Sequence, residues 1–204
     1  MNKDYWEEFY KNIKVETEPS SFAKYIADNF LQQKERLIEL GCGNGRDSFF
    51  FVNLGIKVVA VDQCSKNILF LKSYDKSLFN FISADFTQLS NIGTFNYVYS
   101  RWTIHTINEK QENKVLKWTY DSLEKNGKYF IEARGLKNEL YKVGEPVEGE
   151  DNAFYYDNHY RRFINRDILC QKLKHIGFTI LSNEEEKFKD EKQNLIRVIC
   201  EKLT

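Results

Sequence analysis

The chain has 204 residues, and its 30 Lys and Arg balance 30 Asp and Glu, so the formal net charge is zero. That length suits one domain, 1–204, with a sizeable core. The charge balance argues against a dedicated nucleic-acid binder, which usually carries a basic excess. The opening Met-Asn-Lys-Asp-Tyr-Trp lacks the apolar run of a signal peptide, and no apolar stretch approaches the roughly 18 residues of a membrane span. Cys42, Cys64, Cys170 and Cys200 form no C-x-x-C pair; they read as reduced core residues of a cytoplasmic protein, with no metal expected.

Tyr5, Trp6, Phe9, Tyr10 and Ile13 recur at helical spacing. Pro19 and its serines break that helix, and Phe22, Tyr25, Ile26 and Phe30 give the apolar face of a second. Residues 36–40 read as a central parallel strand, unbroken by polar alternation except at Glu39. A helix over 46–53 capped by Gly55 follows, then a strand over 57–62, a helix over 65–74 and a strand over 79–86. The next strand, 95–100, leads into Arg101-Trp102-Thr103-Ile104-His105. A helix over 109–125 ends at Asn126-Gly127, and residues 128–135 form a fifth strand, on which Glu132 and Arg134 share a face. They read either as an ion pair or as pocket lining. The segment 136–165 is polar, aromatic and weakly periodic, and is too long for an ordinary connection, so it reads as a functional loop. Within it His159, Tyr160, Arg161 and Arg162 interleave cations with aromatics, either as a solvated basic run or as an anion clamp. Asn165 caps a helix through 174, and 178–187 pairs with 195–201 as a closing hairpin. Five strand–helix units and a hairpin predict an α/β, doubly wound, Rossmann-like sheet of seven strands with an antiparallel C-terminal edge.

The chemistry concentrates at the carboxyl ends of the strands, where ligands of such sheets bind. The first turn reads Glu39-Leu40-Gly41-Cys42-Gly43-Asn44-Gly45-Arg46. Its third glycine comes one residue earlier than in the dinucleotide fingerprint G-x-G-x-x-G. A carboxylate two residues before the first glycine would repel a pyrophosphate but suits an ammonium. Asp62 ends the second strand twenty-one residues after Gly41, where an acid can accept both hydroxyls of a ribose. Ser65 is at least as good a helix cap as Asp62, which leaves Asp62 for a ligand.

Glu39-x-Gly-x-Gly-x-Gly with Asp62 and Asp85 closely resembles the motifs of class I S-adenosylmethionine (SAM) methyltransferases, and the likeness extends over nearly the whole chain. It implies SAM as methyl donor and S-adenosylhomocysteine as product. Glu39, Gly41, Cys42, Gly43, Gly45 and Arg46 would hold the methionyl part, Asp62 the ribose, and Gln63, Ala84, Asp85 and Phe86 the adenine, with Ser100 beside the sulfonium. The N-terminal region, about 1–33, would be a lid, and 136–165 an acceptor-side insertion. Trp102, Glu132, Arg134, Tyr160, Arg161 and Arg162 would bind the acceptor. Arg101 would hold an anionic acceptor, and His105 and His159 are the candidate bases if the acceptor is a hydroxyl.

The Ser-Arg-Trp-Thr-Ile-His and His-Tyr-Arg-Arg-Phe stretches resemble small methyltransferases found near bacterial surface-polysaccharide genes. That resemblance implies a sugar, a sugar nucleotide or a phosphorylated or phosphoramidate capsule precursor as acceptor. Arg46-Asp47-Ser48 also resembles tellurite-resistance and thiopurine-type methyltransferases. The rivals are an NAD-dependent oxidoreductase, which needs the other glycine register, a non-catalytic SAM-fold binding protein, and a methyltransferase of protein or nucleic acid. No Asn-Pro-Pro-Tyr or Asp-Pro-Pro-Tyr follows the fourth strand, which speaks against base methylation. A small-molecule acceptor is expected, without a nucleic-acid or membrane partner.

Overall fold

A computed structural model describes residues 6, 8, 18–64, 77–157 and 159–204. Trp6 and Glu8 are helical; the rest of the expected first helix, and the expected 65–74 helix with Ser65, lie outside the described residues. Helix α1 is Ser21–Asn29, β1 Arg36–Leu40, α2 Arg46–Asn53 and β2 Lys57–Asp62. Then come β3 Phe79–Ser83, β4 Phe95–Arg101, α3 Glu109–Ser122 and β5 Leu123–Ala133. The chain closes with β6 Glu145–Pro146, β7 Ala153–Tyr156, β8 His159–Arg162, α4 Arg166–Ile176, β9 Thr179–Glu186 and β10 Leu195–Glu201.

Seven strands form one sheet in the order β3-β2-β1-β4-β5-β10-β9. The first five run parallel, and β10 is antiparallel to both β5 and β9. Strand alternation sends neighbouring residues into different cores. On one face Leu37, Tyr97, Tyr99 and Phe130 meet Phe22 and Ile26 of α1 and Phe51 of α2. On the other, Ile38, Leu40, Val98 and Ile131 meet Val115 and Leu116 of α3 and Leu169 and Leu173 of α4. Each fully buried Phe or Ile contributes about 1.5–3 kcal/mol, so α1 is fastened chiefly by Phe22 and Ile26, both at 0% exposure.

Three expectations change. The β3 strand stops at Ser83, because Asp85 turns the chain by accepting the Thr87 N–H at 2.8 Å and capping a short 3-10 turn. Helix α3 stops at Ser122, not Lys125: Leu123 already pairs with Phe95, Lys202 Nζ takes the carbonyls of Tyr120 and Leu123, and Asn126 adopts a φ of 62°. The 136–165 segment is not a loop. It folds into a second, antiparallel sheet, β6-β7-β8, and returns to the main sheet through a Gly135–Ile164 bridge.

Candidate cofactor and acceptor site

The glycine turn after β1 is set by three positive φ values: 75° at Gly41, 56° at Gly43 and 79° at Gly45. The Gly41 and Cys42 N–H groups both bond to the Val61 carbonyl, at 2.8 and 3.0 Å, which folds the turn over the end of β2. Gly45 is the N-cap of α2. At Gly41 a side chain is excluded twice, by its φ and by Thr103, whose Cγ2 would lie 2.3 Å from an added Cβ.

Glu39 is 4% exposed and accepts a short hydrogen bond from the Ser48 hydroxyl. Burial raises its pKa well above the ordinary carboxylate value; Asp47 adds to the rise, which Ser48, Arg101 and Arg46 oppose. No Lys or Arg among the described residues forms an ion pair with it. Asp62 accepts the Gly43 N–H at 2.9 Å and the Cys64 N–H at 2.8 Å; burial nevertheless pushes its pKa up. Beside it, Gln63 Nε2 is buried and has no hydrogen-bond partner among the described residues. Cys42 is a buried thiol whose pKa burial raises, helped by Asp62 and Glu39. Arg46 Nε lies 3.7 Å from Asp47 Oδ1.

A buried acid with no cation paired to it among the described residues, a turn whose first glycine excludes a side chain and an orphaned amide beside the carboxylate that ends β2 suit SAM, which supplies a methyl group already activated on a sulfonium. Glu39 and the turn would hold its amino-acid part, Asp62 its ribose and Gln63 its base. Ala84 N–H bonds to the Asp62 carbonyl at 3.0 Å. One oxygen of the Asp85 carboxylate accepts the Thr87 N–H within its own turn, which leaves the other for a donor, and the Phe86 ring is buried beneath Gly41. Ser100 is fully buried in short contact with the Thr103 hydroxyl.

Just past the end of β4, Trp102 has a φ of 60°, uncommon for a bulky residue. Glu132 holds it there, accepting the Trp102 N–H on its carbonyl at 2.8 Å and the indole Nε1–H on its carboxylate at 3.2 Å. The guanidinium carbons of Arg101 and Arg134 lie 5.2 and 4.6 Å from the indole centroid. Glu132 itself is fully buried and ion-paired to Arg101 and Arg197, both at 2.7 Å. Burial raises its pKa against those two arginines. Glu191, from the β9–β10 turn, lies 3.6 Å from Arg101 and 3.7 Å from Arg197 and accepts from Ser21 at 3.0 Å. Burial works against the Arg101 charge, but Glu132 outweighs it and raises that pKa. Arg101 and Glu132 therefore belong to a quartet of charges with Arg197 and Glu191.

His105 is 3% exposed, and its Nδ1 accepts the Arg134 N–H at 3.4 Å, which puts the proton of the neutral ring on Nε2. Burial lowers its pKa well below 6.5, and Arg134, His159, Arg161 and Arg162 lower it further. The His159 ring stands edge-on to Trp6 at 5.0 Å; burial, Arg161 and Arg134 bring its pKa down to about 4. Arg134 bonds to Asn138 at 3.0 Å and to Gln193, so the β9–β10 turn also borders this region.

The Arg161–Arg162 clamp is corrected. Consecutive residues of β8 point to opposite faces. Arg162 is buried against Glu112 and the carbonyls of Ile104 and Ile107, and Tyr160 on the same face donates to Glu150 at 2.6 Å. Arg161 bonds to the Tyr156 carbonyl at 2.7 Å and has no carboxylate partner among the described residues. A cavity of about 450 Å³ behind Arg162, lined by Asn108, Glu112, Asn165 and Lys172, touches neither the glycine turn nor Asp62.

Sequence reasoning missed Asp47, Thr103, Glu191, Gln193 and Arg197. Asp47 is 3% exposed and accepts from Ser20 N and Oγ, both at 2.8 Å, and from Tyr99 Oη at 2.9 Å. Its place in the first turn of α2, where acids are common anyway, concealed it.

Three solved structures share this fold. A Burkholderia thailandensis 1,6-didemethyltoxoflavin-N1-methyltransferase, with bound 1,6-didemethyltoxoflavin and S-adenosylhomocysteine, is 16% identical at a TM-score of 0.76, over 98% of this chain and 86% of that one. The CcbJ methyltransferase of Streptomyces caelestis is 14% identical at 0.72, over 97% and 96%. The glycopeptide N-methyltransferase MtfA complexed with SAM is 16% identical at 0.67, over 92% and 88%. Comparison with curated protein sequences gives no match. The family model described as "Methyltransferase domain" matches residues 12–183. With that match over most of the chain, on a seven-stranded sheet whose first turn suits the cofactor, the protein belongs to the methyltransferase domain family and is a SAM-dependent methyltransferase.

Proposed function

We propose that the enzyme methylates a small anionic acceptor, bound between Trp102, His105, His159, Arg134 and Arg161. The observation that carries this reading is the placing of two buried imidazoles, whose pKa values burial and the neighbouring arginines lower, beside a cationic wall in which Arg161 has no carboxylate partner among the described residues. An anion there would meet a guanidinium and the Nε2–H of His105, as donors. An acceptor that is already anionic needs no base, so the work left to the protein is alignment, which can contribute roughly 7–11 kcal/mol. The 1,6-didemethyltoxoflavin in the Burkholderia thailandensis relative supports a small-molecule acceptor.

Within that class, a phosphorylated sugar, a sugar nucleotide or a capsule precursor is the finer reading, drawn from the motif resemblance. The contact of Trp6 with His159 supports the N-terminal region as a lid over the site, and β6-β7-β8 as its acceptor-side wall. The test is release of S-adenosylhomocysteine from SAM with a panel of phosphorylated sugars, nucleotide sugars and neutral sugars. Turnover confined to anionic members, with kcat lowered in His105→Ala and affinity for S-adenosylhomocysteine unchanged, is the expected result. Turnover on neutral sugars, proteins or nucleic acid alone would overturn it.

A further inference from the structure

We propose that cofactor binding expels a proton from Glu39: the side chain is a carboxylic acid in the free protein and a carboxylate beside the ammonium of the bound amino-acid part. The proposal rests on SAM as the cofactor and adds to it a coupling between occupancy and pH.

The surroundings of Glu39 leave its charge without a counter-ion. On β4, Tyr99 stands directly opposite it in register, and Arg101 lies two residues further on. Arg101 is engaged by Glu132 at 2.7 Å and by Glu191 at 3.6 Å. On α2 the facing groups are Arg46, Asp47 and Ser48. Arg46 lies 3.7 Å from Asp47, while Asp47 collects both donors of Ser20 and the Tyr99 hydroxyl. The turn contributes Cys42, and β2 ends in Asp62, already bonded to two backbone N–H groups. The Cys42 thiol and Tyr99 phenol are both held neutral by burial. Two carboxyls, Glu39 and Asp47, thus share one buried site with little free positive charge. Desolvation and the neighbouring like charge both favour retention of a proton on Glu39. The Ser48 hydroxyl is compatible with either form, since it donates to a carboxylate and accepts from an acid.

An arriving ammonium supplies the missing cation. The Glu39 O–H bond then breaks, its electron pair stays on the carboxylate, and the proton passes to the buffer. The ammonium keeps all its protons. Between about pH 5.5 and about pH 7 an α-amino group is predominantly protonated. His159 has a pKa of about 4 and His105 lies well below its ordinary value, so neither imidazole titrates appreciably in that window.

The experiment is isothermal titration calorimetry of the full chain with S-adenosylhomocysteine and, separately, with 5′-methylthioadenosine, across that window and in two buffers of different ionisation enthalpy. The second ligand keeps the adenine and ribose but has no ammonium. S-adenosylhomocysteine should release up to one proton, and its association constant should rise by up to about tenfold per pH unit; 5′-methylthioadenosine should release none. Glu39→Gln should abolish the release, and the two-ligand comparison stands without that variant if it fails to fold. Binding of S-adenosylhomocysteine with no proton released and a pH-independent affinity would overturn the proposal. Equal release by both ligands would also overturn it, since the proton would then belong to Asp62. Absence of binding by either ligand at every pH would instead overturn the cofactor assignment, and the proposal with it.

Discussion

The carboxylate that ends β2, Asp62, accepts the N–H of Gly43 at 2.9 Å, so the candidate ribose ligand also braces the glycine turn at the end of β1. One side chain thus couples two neighbouring strand ends. Its other oxygen takes the Cys64 N–H at 2.8 Å. Both bonds leave lone pairs on the carboxylate for a further donor.

Asp62→Asn should therefore impair more than ribose contact. The amide replaces one acceptor oxygen with a donor that faces a backbone N–H. A lost buried hydrogen bond with an unsatisfied partner costs about 1–3 kcal/mol. S-adenosylhomocysteine affinity should fall at least tenfold, with a lower Tm in the free protein. Calorimetric titration beside a melting curve checks both; unchanged Tm with lost binding would mean that Asp62 serves the ligand alone.

Gly41→Ala should damage the turn by two separable routes. The left-handed backbone costs a non-glycine residue about 1–2 kcal/mol, and the added Cβ would lie 2.3 Å from Thr103 Cγ2. Thr103→Ser removes that methyl and keeps the hydroxyl that meets Ser100. The double variant Gly41→Ala/Thr103→Ser should recover part of the lost stability and cofactor affinity, but not all. A double-mutant cycle by denaturant unfolding reads the coupling. Additive effects would show that Thr103 is not what excludes a side chain at Gly41.

His159 should titrate far below an ordinary imidazole. Its folded pKa is about 4 against 6.5 in the unfolded chain, because burial comes first and Arg161 and Arg134 follow. The sign follows from the folded state binding the proton more weakly: the contribution to stability is complete above about pH 6.5 and is lost as pH falls toward about 4. Proton NMR of the ring should show one histidine titrating near 4. In His159→Asn the decline in Tm between those values should be shallower than in the parent. Titration of His159 near 6.5 would remove the cationic wall from the acceptor model.

The parts of the site that were legible in the sequence are those whose chemistry is local. Gly41, Gly43 and Gly45 with Glu39 fix a turn within a few residues, and Asp62 marks a strand end by its position after an apolar run. The ion pairs of Arg101, Glu132 and Arg162 were not legible because their partners are distant in sequence: Arg197 lies 65 residues from Glu132, and Glu112 lies 50 from Arg162. An unpaired charge and a paired one look alike in a string of letters. The β6-β7-β8 sheet was hidden for another reason. Its strands are two to four residues long, too short to display a period, so the opposed faces of Arg161 and Arg162 could not be read. Asp47 was missed because its role depends on Ser20, 27 residues away.

Glu132→Gln tests whether the quartet is structural or faces the acceptor. Glu132 is fully buried and supplies one oxygen to Arg197 and the other to Arg101 and the Trp102 indole. Removing its charge leaves two largely buried guanidinium groups with, among the described residues, only the Glu191 carboxylate, at 3.6 and 3.7 Å, in attendance. Breaking such a buried pair costs about 3–5 kcal/mol, and the residual Glu191 pairings place the expected loss near the lower end. Glu191→Gln, on the 12%-exposed side, should cost about 1 kcal/mol or less, as for a pair in partial contact with solvent. Urea unfolding of both variants measures the difference. The Trp102 indole N–H resonance should shift in Glu132→Gln and stay in place in Glu191→Gln, because Glu132, not Glu191, accepts from it. If Glu132→Gln unfolds within about 1 kcal/mol of the parent, the carboxylate is not holding the arginines. It would then return to the acceptor pocket, where Arg101 would again be a ligand.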